Sequence, residues 1–434
     1  MSNKRGVSKT RECAVKLVER VTCSQTATVK NLLSHYMNTS GISGSDRALF
    51  TELSYGVIRH LNTIDWYIKK YSSHKNIDPY IKNVLRVGVY QLVYLDKIPH
   101  YAALNESVEL AKVKSIKSGN FVNALLRKVT TSSKDISGFL KKDNYVQYLS
   151  IMYSFPEWLI VKWKSILPEK ELVPFLEAMN ASPEITLRVN THKLSRDELL
   201  NRLHKLGISA SAGTHPLAIR IQSSIIIDDL KEYKDGCFYV QDESTLRIVD
   251  MLDPQPGETI LELCAAPGGK TTYSAQKMNN EGIIYALDND DKRLERLKEN
   301  CDRMGSCIAR PICQDLLKEK KILSVDLCDR VLVDVPCSNQ GVLLKRVEAK
   351  WRISQRDISR LSKVQEELLL ISADYVKSCG VMVYSTCSID TAEDEEIIKK
   401  FLAKRNDFYV EKMFKTWPHL DKIDGSFGVK LIRK

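Results

Sequence analysis

Two cysteines lie at equivalent places in two stretches of the second half of the chain. The stretches are Arg330-Val-Leu-Val-Asp-Val-Pro-Cys-Ser338 and Gly380-Val-Met-Val-Tyr-Ser-Thr-Cys-Ser388. Each begins with the apolar run of a buried strand and ends in a Cys-Ser pair. A single cysteine in a strand is usually a core residue. Two cysteines that are each followed by serine at a strand's carboxyl end are better explained by chemistry.

We expect these strands to be adjacent and parallel, which would bring Cys337, Cys387 and Asp334 into one crevice at the edge of a sheet. If the target is C5 of a cytosine, both thiols have a use. A thiolate that adds to C6 makes C5 nucleophilic enough to take a methyl group from a sulfonium donor. A carboxyl group at the N3 edge stabilises the charge that develops there. A thiol must first lose its proton, from a free pKa of about 8.5, and this calls for a polar or positive setting.

The stretch Ile260-Leu-Glu-Leu-Cys-Ala-Ala-Pro-Gly-Gly-Lys-Thr271 predicts a strand, a glycine turn and the start of a helix. This geometry lets a backbone come close to a nucleotide-like ligand. It is not a phosphate-binding P-loop, because Cys264 stands where that motif needs its first glycine, nor is it the dinucleotide Gly-x-Gly-x-x-Gly. A nucleoside without a polyphosphate fits better, and S-adenosylmethionine is the candidate. The alternative is an ordinary strand-to-helix turn.

Two acidic residues at strand ends complete the predicted donor site. Asp288 ends the strand Gly282–Asp288, 20 residues after Gly268, where its carboxylate can accept hydrogen bonds from both ribose hydroxyls. Asp315 follows a strand at 308–312 and can meet an adenine amino group. An N-cap for the helix that begins at Leu316 explains Asp315 equally well.

Length and composition are those of a globular protein with two or three domains. The 434 residues are 43% hydrophobic and 27% charged. No apolar run reaches the roughly 18 residues of a membrane helix, and Met1-Ser-Asn-Lys-Arg5 lacks the apolar core of an export signal. The 11 cysteines include no C-x-x-C pair, so we expect no metal site and a cytoplasmic protein with free thiols.

Positive charge is concentrated in the first third of the chain. Residues 1–150 carry 23 Lys and Arg against 11 Asp and Glu, whereas the rest carries 42 against 43. This asymmetry favours a polyanion, most often nucleic acid, as the partner of the first third. A solvated basic surface without a partner is the alternative.

Helical spacing of apolar residues predicts a bundle of four or five helices between Arg11 and Thr130. Shorter elements of both kinds are predicted from 176 to 235. The expected features are helices at Ile81–Leu95, Glu106–Val113 and Phe121–Val129, caps at Asp46 and Asn105, turns at Ile98-Pro99 and Gly119-Asn120, strands at Ile185–Val189, Leu217–Ile221 and Ile225–Leu230, and a helix at Arg196–Leu206.

Segments in both parts of the chain resemble a known family. Those similar to the NusB-like RNA-binding domain are Asp46-Arg-Ala-Leu49, Leu85-Arg-Val-Gly-Val-Tyr-Gln-Leu92, Ile98-Pro-His-Tyr-Ala-Ala-Leu-Asn-Glu-Ser-Val108 and Phe121-Val-Asn-Ala-Leu-Leu-Arg127. Those similar to RNA 5-methylcytosine methyltransferases are Cys264-Ala-Ala-Pro-Gly-Gly-Lys-Thr271, Asp334-Val-Pro-Cys-Ser338 and Tyr384-Ser-Thr-Cys-Ser388. The combination covers nearly the whole chain and resembles the ribosomal-RNA cytosine methyltransferases of the RsmB (Sun, Fmu) type.

The resemblance implies a role for each residue that matches a motif. Cys387 would be the nucleophile that attacks C6, Cys337 would assist release of the product, Asp334 would hold the base at N3/N4, and Lys270 would support the target site. Residues expected to bind S-adenosyl-L-methionine are Cys264, Ala265, Ala266, Pro267, Gly268, Gly269, Lys270, Asp288, Asp315 and Asp334. Candidate phosphate contacts are Arg47, Arg59, Arg86 and Arg127, although each by itself is more often a surface or helix-capping arginine.

Three segments depart from the family's pattern. Ser338-Asn339-Gln340-Gly341 replaces the usual Ser-Gly-x-Gly, and Lys345-Arg346-Val347-Glu348 replaces Arg-Arg-x-Pro, although Lys350-Trp351 remains. Asp424-Gly425-Ser426-Phe427 replaces a more aromatic pattern. These changes concern the surroundings of the target base and put substrate details in doubt more than the reaction.

The expected fold is α/β. A Rossmann-like S-adenosylmethionine-dependent methyltransferase domain at 236–434 would follow an all-α NusB-like helical bundle at 1–135, a helical linker at 136–175 and a small α/β subdomain at 176–235. The expected function is methylation of C5 of a cytosine in 16S ribosomal RNA, naked or in an early small-subunit particle, by a monomer with no membrane partner. A transfer-RNA substrate and a non-catalytic RNA-binding assembly factor are the alternatives.

Overall fold

The chain divides into two units. The computed structural model describes residues 8–132, 136, 138, 144–223, 225–322 and 325–434. Met1–Ala181 and Leu343–Arg352 form one unit, here called the helical unit, and Ser182–Val342 and Ile353–Lys434 form the other, the α/β unit. The short segment Leu343–Arg352 therefore belongs with the helical unit, although its place in the sequence lies inside the predicted catalytic domain.

Helices make up the regular structure of the helical unit in its described residues. They are α1 (Lys9–Cys23), α2 (Val29–Ser40), α3 (Ser45–Arg59), α4 (Leu61–Tyr71), α5 (Pro79–Tyr94), α6 (His100–Lys112), α7 (Ile116–Thr130), α8 (Tyr145–Met152), α9 (Glu157–Ile166), α10 (Glu169–Asn180) and, far along the chain, α17 (Ala349–Arg352). The all-helical prediction for the first third is confirmed, and α8–α10 cover much of the predicted linker.

Helix α5 is the central helix of this unit. It packs on α1, α3, α4, α6 and α7, and its residues from Val84 to Leu92 are buried. Asp78 caps it by accepting a hydrogen bond from the Ile81 amide at 3.1 Å, and Pro79 suits the first helical position. A Cβ at Gly56 of α3 would lie 2.0 Å from the Tyr90 ring, so glycine permits the close packing of α3 on α5.

Three boundary predictions in this unit are wrong. Gly44, not Asp46, is the N-cap of α3. Asp46 lies in the first turn, where its negative charge stabilises the helix through the helix dipole. Helix α6 begins after Pro99, so Asn105 lies inside it rather than at its cap. Gly119 lies inside α7 and not in a turn, because Ser115 caps that helix earlier.

The α/β unit contains both sheets of the described structure. Its strands are β1 (Ile185–Val189), β2 (Ala210–Ala212), β3 (Ala218–Ile221), β4 (Phe238–Val240), β5 (Thr259–Leu263), β6 (Ile283–Asp288), β7 (Ala309–Cys313), β8 (Cys328–Asp334), β9 (Val376–Thr386), β10 (Phe408–Thr416) and β11 (Ser426–Arg433). Its helices are α11 (Arg196–Lys205), α12 (Lys231–Lys234), α13 (Glu243–Leu252), α14 (Gly269–Lys277), α15 (Asp291–Met304), α16 (Leu316–Glu319), α18 (Gln355–Ala373), α19 (Glu395–Lys404) and α20 (Pro418–Asp421).

The smaller sheet has four strands in the order β2-β3-β1-β4, and all its pairs are antiparallel. The predicted strand at Ile185–Val189 is confirmed, as is most of the one at Leu217–Ile221. The prediction for Ile225–Leu230 is wrong, because Ile227–Asp229 is a single 3-10 turn. Consecutive aspartates at its end favour a turn over a strand.

The larger sheet has seven strands in the order β10-β11-β9-β8-β5-β6-β7. Strands β9, β8, β5, β6 and β7 are parallel, which confirms the predicted Rossmann-like core. Strands β10 and β11 add an antiparallel pair beside β9 that the sequence reading did not predict. The carboxyl ends of the parallel strands share one edge, where open sheets of this type bind ligands.

Two further findings concern the described residues as a group. No described helix combines the length and the apolar character needed to span a bilayer. All 11 cysteines fall in the described ranges, and each is a free thiol.

Candidate active site

The glycine turn after β5 is held in shape by side chains that bind its carbonyl groups. Arg293 of α15 donates to the Ala266 carbonyl at 2.7 Å, and Asn300 donates to that of Pro267 at 3.0 Å. Arg188 of β1 donates to the Gly269 carbonyl at 2.7 Å. These three contacts hold the main chain of the turn in place from two other elements.

The two glycines of this turn serve packing inside the protein. Gly268 has φ +95°, and a Cβ there would lie 3.1 Å from Leu297. A Cβ at Gly269 would lie 3.2 Å from the ring of Tyr239. The space beside each glycine is therefore taken by the protein's own side chains, a different use from the close approach to a ligand that the sequence suggested.

Asp288 and Asp315 end neighbouring parallel strands. The two oxygens of Asp288 accept hydrogen bonds from the amides of Ala266 and Asp290, each at 3.2 Å, and Arg293 lies 3.4 Å away. Asp315 accepts from the Leu317 amide at 3.1 Å and caps α16, so the alternative role considered for it is observed. Each carboxylate keeps lone pairs for a ligand hydroxyl or amino group.

Lys270 and Asp334 form an ion pair at the end of β8. The Lys270 Nζ atom lies 2.6 Å from Asp334 Oδ2, and the Ser385 hydroxyl donates to Asp334 Oδ1 at 2.7 Å. Burial opposes the charge of Lys270, but the carboxylates of Asp334 and Glu262 outweigh it and raise the lysine pKa. Lys270 therefore keeps its positive charge. It also interacts electrostatically with Cys387.

The two cysteines that we expected to share one crevice are in contact. The Sγ atoms of Cys337 and Cys387 are 3.0 Å apart, although the residues are separated by 50 positions. The Cys387 thiol donates to Asn339 Oδ1 at 3.3 Å, and the Asn339 amide nitrogen donates to the Cys337 carbonyl at 3.0 Å. The hydrogen bond to Cys387 and burial together raise the pKa of the Cys337 thiol well above its ordinary value.

The sequence reading missed several residues that build this site. The sequence marks Asn339 only as a departure from the family pattern and Ser385 only as part of a motif. It gives no indication of a role for Glu393. Glu393 is fully buried and accepts hydrogen bonds from Ser338 and Ser388. The run Glu393-Asp-Glu-Glu396 reads as an acidic helix start, so only its contacts distinguish Glu393 from its neighbours.

Comparisons with known proteins agree with this geometry. A NusB family profile matches residues 8–131, a ferredoxin-like domain of RsmF/B-like methyltransferases matches 155–228, and the family described as 16S rRNA methyltransferase RsmB/F matches 249–432. The probable ribosomal RNA small subunit methyltransferase B of Bacillus subtilis is 33% identical over 380 residues, covering 87% of this chain and 84% of the relative. The chain belongs to the RsmB/F family of 16S rRNA methyltransferases.

Two more comparisons extend over almost the full length of this RsmB/F-family enzyme. The ribosomal RNA small subunit methyltransferase B of Proteus mirabilis is 34% identical over 397 residues, which cover 91% of this chain and 92% of that protein. The crystal structure of PH0851 superimposes with a TM-score of 0.83 at 28% identity and covers 98% of both chains. The enzyme is thus an S-adenosylmethionine-dependent rRNA methyltransferase in both family and fold.

The four arginines suggested as phosphate contacts differ in exposure. Arg86 is 9% exposed and binds Asp65 through two hydrogen bonds at 2.7 and 2.8 Å. Arg59 is 6% exposed and donates to the Leu344 carbonyl at 3.3 Å. Both are bound by partners inside the helical unit, and their burial does not favour a contact with phosphate. Arg47 is partly exposed and Arg127 exposed, so these two stay candidates.

Proposed function

We propose that this enzyme transfers a methyl group to C5 of a cytosine in 16S ribosomal RNA through a covalent bond between Cys387 and C6. The observation that supports this most is the 3.0 Å contact between the Sγ atoms of Cys337 and Cys387, next to the Lys270–Asp334 ion pair. Two cysteines buried for packing alone need neither a polar neighbourhood nor an ion pair beside them.

Cys387 begins the reaction by losing its proton. Its proton passes to solvent, and the ammonium group of Lys270 favours the thiolate, which forms a bond to C6 while the π pair of the C5–C6 double bond shifts to the C4–C5 bond and charge develops at N3. Asp334, held between Lys270 and Ser385, faces the N3 and N4 groups of the base in this proposal. N3 takes up a proton from solvent as charge develops there, and the Asp334 carboxylate accepts hydrogen bonds from the N3–H and N4–H groups.

The methyl donor is S-adenosyl-L-methionine, whose sulfonium supplies an electrophilic methyl group and leaves as a thioether. The chain's residues fit such a donor, because Asp288, Asp315 and Asp334 place three carboxylates at the ends of strands that lie on either side of β5. Asp288 is suited to the ribose hydroxyls and Asp315 to the adenine amino group. Cys264 to Gly268 form the turn between β5 and α14, and Gly269 and Lys270 begin α14.

Release of the product needs the S–C6 bond to break. Water takes the C5 proton, the C5–H electrons restore the C5–C6 double bond, and Cys387 leaves as a thiolate. Cys337 keeps its proton because its pKa is raised, so its S–H can donate to the departing sulfur of Cys387. Such a hydrogen bond makes the sulfur a better leaving group and fits a role for Cys337 in product release.

The helical unit holds the RNA in this proposal. Its first 150 residues carry the whole positive excess of the chain, and exposed Arg127 and partly exposed Arg47 are the contacts we retain. A flipped or single-stranded cytosine suits the site, since C5 and C6 of a stacked base are out of reach of a thiol. The enzyme acts as a cytoplasmic monomer on naked 16S rRNA or on an early small-subunit particle.

The test measures methyl transfer from labelled donor to unmodified 16S rRNA. We expect Cys387→Ser to lower the rate at least ~1000-fold, as loss of a covalent nucleophile does. Cys379→Ser, which changes an exposed cysteine of the same strand, is the matched control and should keep the rate. Bisulfite sequencing of the product should then show one protected cytosine. Undiminished turnover by Cys387→Ser, or transfer to tRNA in preference to rRNA, would contradict the proposal.

A further inference from the structure

One carboxylate binds the residues that follow both cysteines. Glu393 Oε1 accepts a hydrogen bond from the Ser338 amide at 2.9 Å, and Oε2 accepts from the hydroxyls of Ser338 and, at 2.6 Å, Ser388. The two hydroxyl oxygens lie 3.2 Å apart. Ser338 directly follows Cys337, and Ser388 directly follows Cys387, so the two hydroxyl contacts are equivalent after the two strands, and only Ser338 adds an amide contact.

A fourth donor completes the surroundings of this carboxylate. Gln365 of α18 donates to Glu393 Oε1 at 3.0 Å and to the Pro336 carbonyl, also at 3.0 Å. Pro336 directly precedes Cys337, so the turn of Cys337 is held on both sides. Four donors satisfy Glu393, whose side chain has no contact with solvent.

The sheet itself does not align the two cysteines. The register of β8 and β9 ends at the pair Asp334 and Ser385, and one more bond joins the Val335 amide to the Ser385 carbonyl at 3.2 Å. Cys337 and Cys387 lie beyond this ladder, where strand pairing no longer sets the distance between the chains. Glu393 joins the two turns just past that point.

A buried carboxylate is a costly way to fill a core. Its burial raises the pKa of Glu393, and the bonds from Ser338, Ser388 and Gln365 offset only part of that shift. Apolar side chains of similar volume often stabilise a fold as well or better than buried charges. The buried carboxylate of Glu393 is better explained by the geometry that it imposes on the turns of Cys337 and Cys387.

We infer that Glu393 is a positioning residue that sets the separation of the Cys337 and Cys387 sulfur atoms by binding the serine after each cysteine. It does not touch the reacting atoms. This inference rests on the proposed function for its effect on methyl transfer. The separation itself can be measured without any methyl transfer.

The experiment measures how fast the two thiols of the full-length protein close into a disulfide when diamide is added. Diamide accepts the two electrons and two protons that the thiols lose as the S–S bond forms. Mass spectrometry of the linked peptides reports this pair separately from the other nine cysteines. Single alkylation of Cys387 by iodoacetamide reports the reactivity of one thiol without its partner.

We expect Glu393→Ala to slow closure at least ~10-fold and Glu393→Gln to slow it less, since an amide oxygen keeps part of the acceptor capacity. Alkylation of Cys387 should change by no more than ~2-fold. In methyl transfer, kcat should fall ~10–100-fold at an unchanged KM for the donor, because small displacements of reacting groups are costly. Glu395→Ala is the control, since Glu395 lies two residues on and binds Lys415.

The inference is overturned if Glu393→Ala keeps both the rate of disulfide closure and kcat within ~2-fold of wild type. It is also overturned if kcat falls while the rate of disulfide closure is unchanged. If the alanine variant does not fold, Glu393→Gln decides by the same two readouts. A wild-type protein that closes the disulfide but transfers no methyl group to RNA would refute the proposed function and leave the closure test of Glu393 intact.

Discussion

The two halves of the sheet edge are built in different ways. At the ends of β5 and β6, side chains hold main chain: Arg188, Arg293 and Asn300 bind carbonyls of the glycine turn. At the ends of β8 and β9, side chains also bind one another, as in the contact between Cys337 and Cys387. The first half thus provides a shaped surface for a donor, whereas the second aligns reactive groups. Substitutions should accordingly affect binding on one side and chemistry on the other.

After loss of the nucleophile Cys387, the largest effect is expected at Cys337. Cys337→Ala removes the hydrogen-bond donor to Cys387 and should lower turnover ~100-fold or more, the size of a typical acid–base contribution. Because attack at C6 is still possible, a protein–RNA adduct should accumulate and survive a denaturing gel. Cys328→Ala, a buried cysteine of the same strand away from its carboxyl end, should form no such adduct. Absence of adduct in the Cys337 variant would place its role before bond formation.

Substitution of Asp288 tests donor binding at the ends of β5 and β6. Asp288→Asn keeps one oxygen but loses the charge that would bind the ribose hydroxyls, so the donor Kd should rise ~10–100-fold, as expected for hydrogen bonds to a charged group. Disulfide closure of the cysteine pair should be unchanged. Calorimetry with S-adenosylmethionine measures the affinity, and Asp291→Asn, exposed at the start of α15, serves as control. If Asp288→Asn slowed disulfide closure by the same factor as it raised the donor Kd, the two halves of the sheet edge would not be separable.

A smaller effect is expected at Asn339, where the family pattern has glycine. Its φ of +60° is one that glycine adopts without strain, so Asn339→Gly should fold. The substitution removes the oxygen that accepts a hydrogen bond from the Cys387 thiol at 3.3 Å. One hydrogen bond of about 1 kcal/mol predicts a ~5-fold faster alkylation of Cys387 at neutral pH. Slower alkylation would mean that Asn339 supports the thiolate instead.

The smallest effect on donor binding is expected at Asp315. Asp315→Ala should cost about 1 kcal/mol of unfolding free energy, because it removes the cap of α16, while Asp315→Ser should restore most of it. If the cap is its whole role, the donor Kd should stay within ~3-fold in both variants. A ~10-fold weaker donor affinity in the serine variant, at normal stability, would establish the contact with adenine.

Much of the fold could be predicted from local pattern. Strands β1, β5, β6, β8 and β9 lie within or close to the predicted stretches, because apolar runs and the residues that end them are read directly from the chain. Helix starts at Ser45 and His100 were misplaced, since several residues there can cap and packing selects one. Strands β10 and β11 were missed; β10 shows no alternation between buried and exposed residues, because its residues 409–413 are all exposed, apolar and polar alike.

The sequence by itself determined which cysteines and carboxylates follow the strands, which lysine begins α14, and which family they resemble. Only the tertiary structure decided how they are held. Glu393 lies 55 residues from Ser338 and Arg188 lies 81 from Gly269, and nothing in local composition indicates such pairs. Packing likewise buries Arg59 and Arg86, which the family resemblance had made candidates for phosphate contacts. Spacing along a chain specifies strands and their ends, whereas contacts between distant residues depend on how those strands pack.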